Sequence, residues 1–396
     1  MLPGITSSLL ISVRKGSRST AITESTAAQW RSYVPFTLKP PGESDFDVAT
    51  LGECMVRLSP PEHGRLEFAP SLEVHVGGGE YNVAYALSRL GLHTAWVGGL
   101  VDNPIGDIVA NHARAAGVDT SFAPVFPFDG IGRRVRMGLH FAEVGTGPRA
   151  SVSIYDRGHS ATSQIEPGQV DWNALFAQRG VRWFHTGGIF TCLSESARQV
   201  AEEALRAAKA AGAVVSYDLN FRSKLWDSQA AIAATRPLMS HIDVLIGNEE
   251  DFQNVLGYEV AGTDTSLQAL PVDNYQKMVK QVAGDYPHLS FIGTTLREVV
   301  SASENNWSAI LYSTESDTFY EGPTFERLLI EDRVGGGDGF ASGLIFAFLA
   351  GRSAEDAVAL GTAHGALLQT TRGDTSQISL AELEHTAAGG TARIKR

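Results

Sequence analysis

Residues Glu331-Asp332-Arg333-Val334-Gly335-Gly336-Gly337-Asp338-Gly339-Phe340 set three consecutive glycines ahead of one acid, and that acid opens an apolar run of helical length. A glycine turn aims several backbone N–H groups into one small volume, and the helix start adds unpaired donors and the positive end of its dipole. Gly335, Gly336 and Gly337 therefore read as an anion site. A carboxylate inside such a site repels the anion, so Asp338 is badly placed unless it touches a substrate hydroxyl beside a phosphate. Spacing alone leaves open a tight loop whose Asp338 merely caps a helix.

A second triple glycine, Gly77-Gly78-Gly79, leads through Glu80-Tyr81-Asn82 into a helix that ends at Gly91. It lacks the G-x-G-x-x-G spacing of a dinucleotide fingerprint, and no G-x-x-x-x-G-K-[ST] occurs anywhere, which disfavours Rossmann and Walker-type readings. Glu53 stands just past the short apolar run Asp47–Gly52, a buried strand by its pattern, where ligand contacts collect in open α/β sheets.

The elements that must hold these residues follow a regular plan. Strand signals at Thr94–Leu100, Val181–His185, Val214–Tyr217, Val244–Ile246 and Leu289–Ile292 alternate with helix signals, among them Asn103-Pro104 to Gly117 and Ser194 to Ala211. Strand followed by helix, repeated, implies parallel crossovers and a sheet covered on both faces. Between Phe122 and Tyr155 the pattern changes to short β-prone pieces, Arg134–Phe141 and Ala150–Tyr155, broken by Pro and Gly, and reads as a small accessory sheet.

With 396 residues the chain can bury a sizeable core. Its net charge of -12 argues against nucleic-acid and anionic-membrane partners. Cys54 and Cys192 are too few and too far apart for a disulfide framework or a Cys-ligated zinc site, and no run reaches the roughly 20 apolar residues that cross a bilayer. A cytoplasmic protein is expected. Residues 1–46, with Arg14, Lys15, Arg18, many Ser and Thr, and Pro35, Pro40 and Pro41, read as a disordered N-terminal extension.

The two glycine motifs, in this order and separation, resemble those of PfkB-type carbohydrate kinases of the ribokinase-like fold, over about residues 47–385. Gly77-Gly78-Gly79-Glu80-Tyr81-Asn82 is similar to the family's sugar-side motif, and Asp332 to Asp338 to its D-T-x-G-A-G-D motif, with Arg333 for Thr and Gly336 for Ala. The resemblance implies an α/β fold, a doubly wound mostly parallel sheet with helices on both faces and a small β lid. The lid is expected at about 60–78 and 122–156, and residues 386–396 as a C-terminal tail. It also implies ATP and Mg2+, a primary hydroxyl as acceptor, Asp338 as general base and Gly335 to Gly337 as anion hole. Within the family, Gly52-Glu53-Cys54-Met55-Val56-Arg57-Leu58-Ser59-Pro60-Pro61 and Asp218-Leu219-Asn220-Phe221-Arg222 resemble 2-keto-3-deoxygluconate kinases.

By that resemblance Glu53, Gly77, Gly78, Asn82, Asn220 and Arg222 bind the substrate, Arg222 by pairing with the sugar-acid carboxylate, a task suited to a planar guanidinium. Asn248 and Asp251 match an N-x-x-E motif at the metal and phosphates, with Asp in the last place, and Asp332 marks a monovalent-cation site for K+. The lid stretch departs from the subgroup: His140 stands for a tyrosine and Ala142 for an arginine. A missing charge-assisted contact costs about 1.5–3 kcal/mol, and Arg157 is one residue able to replace it. Tyr81 stands where a small residue is usual beside the sugar. Two other readings stay open: a kinase for a neutral sugar such as fructose or for a nucleoside, and a catalytically silent kinase-like interaction protein. Lids of this family pair across subunits, so a homo-oligomer joined there is consistent with the resemblance.

Overall fold

The computed structural model describes residues 36–258 and 272–390. The first apolar run forms β1 (Phe46–Leu51), which lies between β4 (Thr94–Val97) and β9 (Val181–Gly187), followed by β10 (Val214–Asp218), β11 (Val244–Gly247) and β12 (Phe291–Ser301), all parallel. The sheet then turns antiparallel: β12 pairs with β13 (Glu304–Ser313), and β13 with both β14 (Thr318–Glu321) and β15 (Phe325–Leu329). The expected doubly wound, mostly parallel sheet is what the chain forms. Helices cover both faces of the central strands, so β9 has no exposed residue although it carries Arg182, His185 and Thr186.

Helices cover both faces. One core packs Glu195–Ala210, Ser228–Thr235 and Val272–Asp285 against the sheet, and the other packs Gly79–Arg89, Gly336–Leu349 and Ala354–Leu368. Local chemistry sets the ends: Asn103 accepts from the Ile105 and Gly106 N–H groups ahead of Pro104–Ala116, and Ser194 accepts from Ala197 N. The helices Gly336–Leu349 and Ala354–Leu368 meet at glycines, where a Cβ on Gly343 would lie 2.5 Å from Leu360 O.

The lid is a four-stranded sheet in the order β3 (Glu73–Gly77), β2 (Met55–Ser59), β7 (Gly138–Glu143), β8 (Val152–Asp156). It thus recruits Met55–Ser59, ahead of the expected insertion. Residues 125–127 leave it: β6 (Val125–Pro127) pairs with β5 (Leu100–Asp102) in a separate ribbon. The expected strand Thr94–Leu100 stops at Val97, because Gly98 and Gly99 turn the chain and Gly99 N binds Thr162 Oγ1 at 2.9 Å.

Residues 1–35 of the expected extension lie outside the described residues, but residues 36–45 do not behave as a free arm. Phe36 meets Trp183, Phe291 and Phe348 edge-on at ring distances of 5.5, 5.8 and 5.5 Å. Lys39 Nζ donates to Val181 O at 3.0 Å, and Arg182 Nε donates to Lys39 O at 2.8 Å. At the other end the helix Leu380–Ala387 runs past the expected tail boundary, and residues 391–396 lie outside the described residues. Phe36→Ala is expected to lower stability by about 2 kcal/mol, less than a fully buried Phe because the ring is only half-buried. Denaturant unfolding measures this; an unchanged midpoint would show the arm to be loosely held.

Candidate active site

The carboxyl ends of the parallel strands and two helix N-termini face one cavity of about 960 Å³ under the lid. Such a crevice is where open α/β sheets bind ligands. Asp338 lies in it, in the first turn of Gly336–Leu349, and Asn82 in the first turn of Gly79–Arg89. Asn82 accepts from Gly78 N at 3.2 Å and donates through Nδ2 to Asp338 Oδ2 at 2.7 Å. Expected at the sugar, Asn82 therefore holds the acid in place. Burial pushes the Asp338 carboxyl up to about 6, against the Asn82 bond and the Arg222 charge, with Asp374 adding to the rise.

The glycines serve this geometry in different ways. Gly335 has φ +90°, and a Cβ there would sit 2.4 Å from Leu368 Cδ2. At Gly77 a Cβ would meet Asp374 Cβ at 2.3 Å, and at Gly78 the Glu53 carbonyl oxygen at 1.8 Å. Gly336 lies against Gln369, and a Cβ on Gly337 would touch nothing within 4 Å, so packing does not require that glycine.

Arg222 lines the cavity, exposed, its Nη1 on the neighbouring Phe221 O at 2.9 Å. Among the described residues no carboxylate pairs with it. Asn220, with φ +37°, stands beside it at the cavity wall, where Asn tolerates the left-handed region. Arg157 differs: its Nε lies 2.7 Å from Glu53 Oε2, while Glu53 Oε1 accepts from Ser160 Oγ at 2.6 Å. Burial raises the Glu53 carboxyl and Arg157 opposes the rise. The two residues expected to bind substrate separately thus spend their charges on each other.

Asn248 and Asp251 close a reciprocal cap. Asp251 Oδ2 accepts from Asn248 N at 2.9 Å, Asn248 Oδ1 accepts from Asp251 N at 3.0 Å, and Asp251 Oδ1 accepts from Phe221 N at 2.7 Å. Both line the cavity, but the shorter Asp in place of Glu is turned to the backbone. Among the described residues no group of three or more His, Cys, Asp or Glu side chains is placed to hold a metal ion.

Asp332 does not fit a monovalent cation. Its Oδ2 accepts from Arg57 Nη2 at 2.6 Å and from Gly373 N at 3.3 Å, and its Oδ1 from Val334 N at 3.3 Å. Arg57 also donates to Asp374 Oδ1 at 2.7 Å, and sequence reasoning missed both residues. A cation at an inward position of β2 was the available signal for Arg57; Asp374, in a loop, gave none. Tyr81 is also corrected: its ring is buried edge-on to Trp96, its hydroxyl 2.8 Å from His112 Nδ1, away from the cavity. His140 stacks on Tyr155 at 4.4 Å and is held neutral, pushed down to about 3 by burial and then by Arg57 and Arg157. Ala142 lines the cavity, and Arg297 is exposed in the same lining.

Glu80, behind Asp338, is buried and pushed up to about 8 by burial, with Asp338 and Glu53 adding to the rise. At the opposite wall, Arg333 donates to the Ser301 and Ala302 carbonyls of the β12–β13 hairpin. That hairpin reaches the lid, where Ala302 N donates to Gly147 O at 3.0 Å and Gly147 N to Ser303 Oγ at 3.0 Å.

Comparison with known proteins agrees with this geometry. Residues 45–380 match the family described as pfkB family carbohydrate kinase. A 2-dehydro-3-deoxygalactonokinase of Haloferax volcanii is 34% identical over 350 residues, 88% of this chain and 99% of that protein. A 5-dehydro-2-deoxygluconokinase of Shouchella clausii is 26% identical, over 82% of this chain and 89% of its own length. Among solved structures, a 2-dehydro-3-deoxygluconokinase of Thermotoga maritima superposes with a TM-score of 0.80 at 37% identity, covering 86% of this chain and 99% of that one.

The Asn82 bond favours the charged form of Asp338, so Asn82→Ala is expected to move its midpoint above about 6. Carboxyl NMR titration reads the shift directly, and any activity that needs the carboxylate as base should lose its acid limb at the same higher pH. A midpoint that stays or falls would contradict the assignment.

Proposed function

The chain belongs to the pfkB family of carbohydrate kinases, which work on ATP with Mg2+, and we propose that it phosphorylates the primary hydroxyl of a small sugar acid. The proposed acceptor is 2-keto-3-deoxygluconate first and its C4 epimer, the galactonate, second. One observation carries the substrate class: Arg222, exposed on the cavity wall, without a carboxylate partner among the described residues. A cation left free beside a buried acid is suited to the carboxylate of the acceptor. The names of the 34% and 37% identical relatives support the same class.

In this reading Asp338 takes the proton of the primary hydroxyl as its oxygen bonds to the γ-phosphorus and the bond to the β-phosphate oxygen breaks, leaving ADP. The N–H groups of Gly335 to Asp338 meet the charge on the transferred group. Asn82 aims the base, and Gly77 and Gly78 let the sugar-side loop pass close to Asp374 and Glu53. Asn220 and the Glu53–Arg157 pair shape the sugar pocket, and Asn248 with Asp251 borders the phosphate side, where Mg2+ arrives with ATP. A neutral-sugar kinase is the second reading, favoured by Ala142 and by the neutralised Arg157.

A cytoplasmic location accords with two free cysteines and with the lack, among the described residues, of any helix long and apolar enough to cross a membrane. Val74, Val152 and Ile154 stand exposed on the lid strands, which supports pairing of lids between subunits.

Turnover of 2-keto-3-deoxygluconate, its galacto epimer, fructose, ribose and adenosine with ATP tests the proposal, and preference for a neutral acceptor would sink the sugar-acid reading. Arg222→Met should raise KM for the acid about ten- to a hundred-fold with KM for ATP unchanged. Asp338→Asn should keep ATP binding and lower kcat by about two decades or more; near-normal turnover would remove Asp338 as base.

A further inference from the structure

Arg57 is a buried cation with no direct part in the reaction just described. It projects from lid strand β2, its side chain 2% exposed, and donates to Asp332 at 2.6 Å, Asp374 at 2.7 Å and Ser59 Oγ at 3.0 Å. Asp332 leads into the glycine turn, and Asp374 lies where a Cβ on Gly77 or Gly335 would collide with it or its carbonyl. Both glycine loops are therefore built around one guanidinium. Without a positive charge, two buried carboxylates would stand together beside the turn that receives phosphate. Some cation has to be there.

An ion from solvent and a side chain are the two sources. A monovalent ion is held by several oxygens at once, and three of the four carboxylate oxygens of Asp332 and Asp374 already accept N–H donors. The planar fork also does what a spherical ion does not: it fixes the two loops relative to each other through directed bonds, Nη1 to Asp374 and Nη2 to Asp332. We propose that Arg57 is a tethered replacement for the monovalent cation of the anion loop, so that phosphoryl transfer by this chain is independent of K+. The loops keep their charge balance at any salt composition, and the lid strand is fastened to the phosphate side of the site by the same contact. Only the catalytic consequence rests on the kinase reading; the ion site is judged from the contacts themselves.

The test uses the full chain in a buffer whose only monovalent cation is tetramethylammonium, into which KCl or NaCl is titrated to about 100 mM at constant ionic strength. With ATP, Mg2+ and 2-keto-3-deoxygluconate, or whichever acceptor the screen identifies, kcat is expected to change less than about two-fold. Saturable stimulation of about ten-fold or more by K+ would overturn the proposal. Thermal unfolding without substrates gives a second reading that survives even if no sugar is turned over: Tm should be the same in K+ and tetramethylammonium, and a K+-specific rise of several degrees overturns it. Arg57→Ala should lose turnover and regain part of it with guanidinium or K+, whereas loss without rescue by either counts against a charge-replacing role. If that variant does not fold, the wild-type titrations decide alone.

Discussion

The hydrogen bond from Asn82 to Asp338 joins residues 256 positions apart and fixes the distance between two helix N-termini. Everything else in the cavity is measured from that bond. Its 2.7 Å length tolerates little slippage, since a shift of one residue along a helix displaces the side chain by about 1.5 Å. The packing supplies the needed rigidity: both helices lie on the same face of the sheet, sharing a core that includes Val83, Leu87, Phe340 and Leu344. Glycine contacts with Ala354–Leu368 then remove the freedom of Gly336–Leu349 to slide.

Acid dominates the site, and the ways its charge is met differ. Asp251 is met by backbone N–H groups, Glu53 by Arg157 and Ser160, and Asp332 with Asp374 by Arg57. For Glu80 and Asp218 the Arg157 and Arg222 charges only partly offset burial, which raises both, Asp218 well above the usual carboxylate range. Glu80 is therefore largely protonated near neutral pH, which limits the negative charge that an incoming phosphate must approach. The net charge of the chain gave no hint of this internal arrangement, because composition counts acids without saying which keep their protons.

The parallel sheet, the two glycine turns and the acid at the head of an apolar helix were legible because each rests on local chemistry: apolar runs, caps such as Asn103 and Ser194, and glycine spacing. What stayed hidden depends on partners distant in sequence. Asn82 could be marked as functional, but not as the group that holds Asp338. Arg157 looked like a free cation until Glu53 was found against it, and Asp332 like an open acid until Arg57 was. The antiparallel edge from β13 to β15 escaped because its strands mix charged and apolar residues without the long apolar runs of the centre, and Phe36 escaped because its partners come from three separate elements.

The lid is held at several places of different strength. At β2 the buried Arg57 contacts make a fixed end; farther out, Arg372 reaches Glu73 of β3, Lys224 Nζ donates to Ser153 O of β8 at 3.3 Å, and the far turn meets the β12–β13 hairpin through Ala302 to Gly147, Gly147 to Ser303 and Ser303 to Thr146. At about 1 kcal/mol each, these outer contacts are individually weak beside the buried Arg57 pairs. The lid thus has one stiff root and several weaker outer ties, so any opening is expected to loosen its outer edge first, while the root stays in register with the glycine turn it is bonded to.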